Sequence, residues 1–233
     1  SMMGRVCPAP CQDGCNRNEV EDFVGINAVE QYIGDAAIEK GFRFEAGADT
    51  GKKVAVVGGG PAGMAAAFQL RRKGHAVTVF DENEQLGGMM RYGIPGYRIP
   101  RDKLDYELER ITDMGVELRM KTRVGRDVSI DALEKEFDAL LWALGCWSGR
   151  GLPVPGWEDT PNCVSGVAFL KAFNEGRMKV TADKVICIGG GDTSIDVVSV
   201  ARRLGHISGS GHNQPPEAVV HDGYVAHDTA VTA

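Results

Sequence analysis

The sequence has no excess of positive charge. Its 233 residues carry a formal net charge of −6 at pH 7, whereas a nucleic-acid footprint needs a basic surface, so no nucleic-acid partner is expected. No apolar run reaches the ~18 residues of a membrane helix, and no charged-then-apolar leader opens the chain, so neither a membrane span nor secretion is expected. Ser1 stands ahead of two methionines and reads as an added residue. Proline is modest at 10 residues, and the 43% hydrophobic and 25% charged contents are ordinary for a globular chain. That excludes collagen-like, low-complexity and mainly disordered classes. Cysteine is sparse and uneven. Cys7, Cys11 and Cys15 crowd together, while Cys146, Cys163 and Cys187 stand apart in apolar surroundings. This is not the framework of a disulfide-stapled secreted domain, and it suits a reducing cytoplasm. No nucleophile–base constellation is visible.

Glycine is what the chain has in abundance: 31 residues, about 13% where about 7% is usual. The glycines cluster at Gly58, Gly59, Gly60 and Gly63, at Gly87 and Gly88, and at Gly189, Gly190 and Gly191. Such clusters mark places where backbone takes positive φ or approaches a ligand closely.

Three segments are expected: 1–45, bearing the cysteines; 46–150; and 151–233. In the first, apolar positions Ile26, Val29, Ile33, Ala36 and Ala37 predict a helix over 26–40, stopped by Gly41. The second alternates strand and helix. Strands are expected at 54–57, 77–80, 116–120 and 139–143, the first and last of them buried. Helices are expected at 61–73, 102–114 and 130–137, the last capped by Ser129, with a Gly/Pro-rich loop at 87–100. The third segment opens on a Pro/Gly crossover. It then predicts a helix near 167–174, a strand at 185–188 and a helix to about Leu204, beyond which the chain turns polar and irregular. Alternating βα units imply an α/β fold with Rossmann-like, doubly wound parallel sheets.

Gly58-Gly59-Gly60-Pro61-Ala62-Gly63 follows the G-x-G-x-x-G pattern. The pattern alone is weak, but here a strand precedes it, a helix follows it, and the acidic Asp81 ends the next strand. Gly58 would make the tight turn, Gly60 would let backbone approach a pyrophosphate, and Gly63 would let helix and strand pack closely. The helix N-terminus offers free N–H groups and roughly +0.5 charge to phosphate. Asp81 would accept from ribose hydroxyls, with Glu82 the rival for that role. The alternative is a tight βα turn without a ligand. Gly189-Gly190-Gly191-Asp192-Thr193-Ser194 repeats the strand–turn–helix arrangement, with Ser194 in place of the third glycine. Either it holds a second dinucleotide or it is only a structural turn.

Three stretches together resemble the glutamate synthase small (β) subunit family: Arg5-Val6-Cys7-Pro8-Ala9-Pro10-Cys11, Gly87-Gly88-Met89-Met90-Arg91-Tyr92-Gly93-Ile94-Pro95, and Gly189-Gly190-Gly191-Asp192-Thr193. The family includes the N-terminal portion of dihydropyrimidine dehydrogenase. The resemblance implies a glutathione-reductase-type arrangement of two dinucleotide sites, in which hydride passes from NADP(H), or NAD(H), to FAD. Electrons then pass to iron–sulfur centres, an electron-acceptor subunit or a ferredoxin-like partner. It assigns Gly58, Gly60, Gly63, Asp81, Gly88, Arg91 and Gly145 to FAD, with Pro61 and Ala62 inside the same turn. It assigns Gly189, Gly191, Asp192 and Thr193 to the nicotinamide cofactor. Leu144 stands where the family's second flavin motif usually has threonine. The resemblance also implies further chain on both sides, because an upstream cysteine group, the NADPH phosphate-reading arginines and a C-terminal flavin segment are expected. On this reading 46–150 is the start of the FAD domain and 151–233 the start of the nicotinamide domain, of which only the residues from Gly189 to Ala233 follow the second turn, fewer than the ~100 of a typical domain.

Cys7, Cys11 and Cys15 recur every four residues, so a helix or tight coil would turn all three sulfurs to one side. They read as iron–sulfur ligands of the longer protein, as a zinc site, or as free thiols. A 4Fe–4S cluster takes four thiolates, so this chain alone is expected to hold no intact one. His206, His212, His221 and His227, near Asp222 and Asp228, lack tight metal-ligand spacing and read as solvated. No C-x-x-C adjoins the second glycine cluster, which argues against a redox-active disulfide there. The rival to the enzyme reading is a truncated, non-catalytic dinucleotide-binding or scaffold subunit.

Overall fold

Short runs of valine, alanine and leucine become the strands of one parallel sheet, because each run is long enough to pair and is closed off by a glycine or a polar turn. In the computed structural model, which describes residues 1–157, 159–160, 163–178, 184–208, 219–221 and 224–226, the chain divides into two units. One comprises Ser1–Arg91 and Gly96–Gly145; the other comprises Tyr92–Pro95 and Cys146–Ala233.

The first unit opens with α1 (Met2–Val6), α2 (Pro10–Asp13), a 3₁₀ turn (Asn16–Glu19) and α3 (Ile26–Glu39). Then come β1 (Lys53–Val57), α4 (Pro61–Arg72), β2 (Ala76–Phe80), the short α5 (Met89–Tyr92), α6 (Arg101–Thr112), β3 (Val116–Arg119), α7 (Ile130–Glu136) and β4 (Ala139–Trp142). The strand order is β3-β2-β1-β4, with every pair parallel. This is the first four-strand pattern of the Rossmann arrangement, and its crossover point lies between β1 and β4.

The central strand β1 is buried at every position after Lys53, as a strand covered on both faces must be. Alternation sends Ala55 and Val57 to one face, where they pack with Phe80, Leu133 and Phe137. The rings of Phe80 and Phe137 meet edge to face there, 5.9 Å apart. The opposite face carries α4, whose buried residues are Gly63, Met64 and Ala67. Ser129 caps α7 by accepting from the Ala132 N–H at 3.2 Å, an interaction worth about 1 kcal/mol.

The N-terminal helices belong to this first unit. Arg5 forks onto Asp35 of α3, its two Nη atoms each 2.8 Å from a carboxylate oxygen. The Ser1 hydroxyl donates to the same carboxylate at 2.6 Å. The Met2 N–H donates to Glu107 of α6 at 3.2 Å.

The second unit contains α8 (Gly166–Asn174), α9 (Asp192–Ser208) and the antiparallel pair β5 (Val219–His221) and β6 (Tyr224–Ala226). Phe169 and Leu170 of α8 pack on Val197, Val200 and Ala201 of α9. Ser165 caps α8 through the Ala168 N–H. Lys171 lies 4.8 Å from the ring centroid of Trp147, and the Asn174 side chain donates to the Tyr92 carbonyl at 3.0 Å.

Two expectations change. β4 is not a buried strand. Among the described residues β1 is its one neighbour, and Leu141 and Trp142 are 38% and 46% exposed. The expected strand at 185–188 is reduced to a single bridge residue, Val185, and Ile186 and Ile188 are exposed. An apolar run becomes a strand only where a ladder partner exists, and among the described residues none lies along 186–188. The helix after the second glycine cluster also runs past Leu204, to Ser208.

Candidate functional site

The first glycine cluster sits at the C-terminal end of β1, at the crossover point of the sheet, where open α/β folds bind ligands. Gly58 has φ +114°, and a Cβ on it would come within 2.2 Å of the Ala143 carbonyl oxygen, at the end of β4. A Cβ on Gly63 would come within 1.8 Å of the Gly58 carbonyl oxygen. Both positions therefore admit no side chain, which lets α4 start directly against the turn. Gly60 is the N-cap of α4, no side chain caps it, and Pro61 occupies the first turn. The N–H groups of Ala62 and Gly63 are left for an anion.

Asp81 is 8% exposed and faces this turn. The Gly59 N–H donates to its Oδ2 at 2.7 Å. Its Oδ1 accepts from the Asn83 N–H at 2.7 Å and from the Asn83 side-chain amide at 2.8 Å. Glu82, the rival, is exposed and lies 3.6 Å from Arg123, so Asp81 is the acidic group beside the glycines.

The 87–91 stretch closes over the same turn. The Gly87 N–H donates to the Gly59 carbonyl at 2.9 Å. A Cβ on Gly88 would come within 2.7 Å of the Gly60 Cα. Two backbones with no side chains thus meet beside the start of α4. Gly145, at φ +70°, follows β4 just beyond Ala143. The structure therefore gathers Gly58, Gly60, Pro61, Ala62, Gly63, Asp81, Gly88 and the 143–145 turn at one edge of the sheet.

Arg91 is buried, and its guanidinium donates to the Leu86 carbonyl and to Asp105 Oδ1. Arg101 donates to the carbonyls of Met90, at 2.9 Å, and Arg91, at 2.7 Å. Burial, and then the neighbouring Arg91 charge, lower the Arg101 pKa, while the Asp105 carboxylate raises it. Sequence reasoning missed Asn83, Arg101 and Asp105. They act on backbone and side chains across a turn or a helix, and no local spacing signals that.

The second cluster lies in the second unit, ahead of α9. A Cβ on Gly189, at φ +134°, would come within 2.6 Å of Ser194 Oγ, so the serine hydroxyl fills the space that a third glycine would leave. Gly190 and Gly191 have open space where a Cβ would stand. Asp192 and Thr193 are exposed at the start of α9. The N–H groups of Ser194 and Ile195 already donate to the Gly191 carbonyl.

Cys7, Cys11 and Cys15 are not on one helix. Cys7 follows α1, Cys11 lies in α2 and Cys15 precedes the 3₁₀ turn. Ala9, at φ +55°, breaks the run between the first two, and its N–H donates to Cys7 Sγ at 3.4 Å. All six cysteines are free thiols. Among the described residues no group of three or more His, Cys, Asp or Glu is arranged to hold a metal ion. His212, His227, Asp222 and Asp228 lie outside the described residues. Among the described residues no helix is long and apolar enough to cross a membrane.

Residues 52–223 match the family model of the pyridine nucleotide-disulphide oxidoreductases. The chain is 39% identical over 220 residues to the glutamate synthase [NADPH] small chain of Mycobacterium tuberculosis, covering 88% of this chain and 45% of the relative. It is 34% identical over 229 residues to the NADP(+)-dependent formate dehydrogenase subunit beta of Moorella thermoacetica, covering 88% and 32%. Among solved structures, FprA, an oxidoreductase of M. tuberculosis, superposes with a TM-score of 0.57 at 25% identity, over 63% of this chain and 35% of that one. The chain thus spans less than half the length of the two relatives.

Proposed function

Because the chain belongs to the pyridine nucleotide-disulphide oxidoreductase family, we propose that it is the cofactor-binding part of a flavin-dependent NAD(P)H oxidoreductase of the glutamate synthase small-subunit type. FAD is assigned to the first glycine turn and NADP, or NAD, to the second. The observation that carries the reading is the meeting of Gly60 and Gly88 over the uncapped start of α4. It makes a backbone-lined cradle that a Cβ would fill.

The chemistry that bound FAD supplies is acceptance of a hydride from the nicotinamide and onward delivery of its electrons. The chain's own part is binding and orientation. The N–H groups of Ala62 and Gly63 and the dipole of α4 hold the pyrophosphate. Oδ2 of Asp81, which accepts from the Gly59 N–H, keeps a lone pair to accept from a ribose hydroxyl. In the second unit, the open backbone at Gly190 and Gly191 takes the second dinucleotide, with Asp192 and Thr193 beside it.

Cys7, Cys11 and Cys15 are assigned as thiolate ligands of an iron–sulfur centre in the longer protein, and the electron acceptor as a partner subunit or a ferredoxin-like protein. Six free thiols fit a reducing, cytoplasmic setting.

The test is spectroscopic. Protein incubated with FAD and freed of excess should be yellow, and anaerobic NADPH should bleach it. Colourless protein that gains no thermal stability from FAD overturns the reading and supports a non-catalytic scaffold subunit.

A further inference from the structure

The 87–91 loop touches the first glycine turn on one side and is held from the other by α6. Arg91 has a side chain only 9% exposed, and its Nε and Nη2 donate to the Leu86 carbonyl and to Asp105. Arg101, four residues before Asp105 and so one helical turn away on the same face, uses both Nη atoms on the carbonyls of Met90 and Arg91. An arginine that reads a pyrophosphate must present its planar fork to the phosphate oxygens. Here the Nε–Nη2 edge of the Arg91 guanidinium is directed at a carbonyl and a carboxylate of the protein itself.

We propose that Arg91, Arg101 and Asp105 form a clasp that positions the flavin loop, with Arg91 acting as a positioning residue and not as a direct ligand of the flavin's phosphates. The inference rests on the assignment of FAD to the first turn. Two guanidinium groups at close quarters repel, and the lowered Arg101 pKa reflects that repulsion after burial itself. Asp105 is the anion that allows both to stay. With the clasp closed, the Gly87 N–H reaches the Gly59 carbonyl and Gly88 rests on Gly60.

The two roles for Arg91 predict opposite signs for one substitution. If Arg91 were a phosphate ligand, Asp105 would compete with FAD for it, and Asp105→Asn would tighten binding. If the clasp positions the loop, Asp105→Asn loosens it. The experiment uses the 233-residue chain, its Asp105→Asn and Arg101→Gln variants, FAD titration by fluorescence, and amide hydrogen exchange without FAD.

The expected result is an FAD Kd raised about tenfold or more in each variant. The amides of Gly87, Met90 and Arg91, all hydrogen-bonded in the loop, should exchange about tenfold faster, while those of β1 keep their rates. FAD binding by Asp105→Asn as tight as wild type or tighter overturns the inference, as does unchanged loop exchange. Faster exchange throughout β1 as well would mark a general structural loss and also overturns it. If the wild-type chain binds no FAD, the assignment of the first turn fails, and the exchange arm still decides whether the clasp exists.

Discussion

The backbone N–H of Gly59 donates to Oδ2 of Asp81 at 2.7 Å, joining the tip of the glycine turn to the end of the neighbouring strand. The carboxylate therefore shapes the turn as well as offering a site for ribose. Asp81→Asn keeps the size but puts an amide donor or a weaker acceptor opposite the Gly59 N–H. A buried hydrogen bond to a charged acceptor is worth about 2 kcal/mol, so urea unfolding should show a loss of that order without any cofactor. FAD affinity should fall beyond what the stability loss explains. Equal stability of wild type and variant would mean that the turn holds itself.

The two glycine clusters should respond differently to alanine. At Gly63 a Cβ would overlap the Gly58 carbonyl oxygen at 1.8 Å, so Gly63→Ala must push α4 away from the turn. We expect a loss of about 3 kcal/mol, at the upper end for overpacking. At Gly190 nothing stands within 4 Å of a Cβ, and Gly190→Ala should stay within about 0.5 kcal/mol of wild type. Thermal unfolding of the two variants side by side tests the contrast. Similar losses at both sites would contradict this geometry.

Much of the first unit is legible in sequence because its signals are local. The run Val54, Ala55, Val56, Val57, closed by glycine, can only be a short buried strand or a helix fragment, and Pro61 with the glycines decides for strand, turn and helix. The Ser129 cap is legible for the same reason. What depends on neighbours in space is not. The runs at 139–143 and 185–188 have similar composition to β1. Whether such a run is central, an edge or no strand depends on which partners flank it. α5 hides in a Gly/Pro-rich stretch because four residues are too few to display a period. That Asp81 faces the glycine turn while Glu82 is exposed depends on side-chain directions at the end of β2 that sequence does not encode. Arg101 carries no motif at all, because its acceptors are carbonyls, which every residue has.

The cysteine spacing makes a narrower prediction. Cys7 follows α1, Cys11 lies in α2 and Cys15 precedes the 3₁₀ turn, and a cubane cluster takes four thiolates. The 233-residue chain, purified anaerobically or reconstituted with iron and sulfide, should fall well short of four iron and four sulfide per chain. Replacing any of the three with serine should lower the iron content of any longer form that carries the cluster. Iron and sulfide near four per chain in these 233 residues would overturn the expectation and call for a fourth ligand from within them.

The link between Arg5 and Asp35 gives the stability of the first unit an acid limb. The hydrogen bonds from Arg5 are the main cause that holds the Asp35 carboxyl down, at about 2 against an ordinary 3.8. A group whose folded pKa is depressed favours the folded state when ionised. Its contribution is therefore full above about pH 4 and is lost as the pH falls through about 2. Asp35→Asn removes that contribution at every pH. The difference in unfolding free energy between wild type and variant should be constant from pH 7 down to about 4, and should then shrink steadily toward pH 2. Other depressed carboxylates, such as Asp127, are common to both proteins and cancel in the difference. Urea titrations at half-unit pH steps measure it, and a difference that stays flat below pH 4 would show that the Arg5–Asp35 fork contributes nothing through its charge.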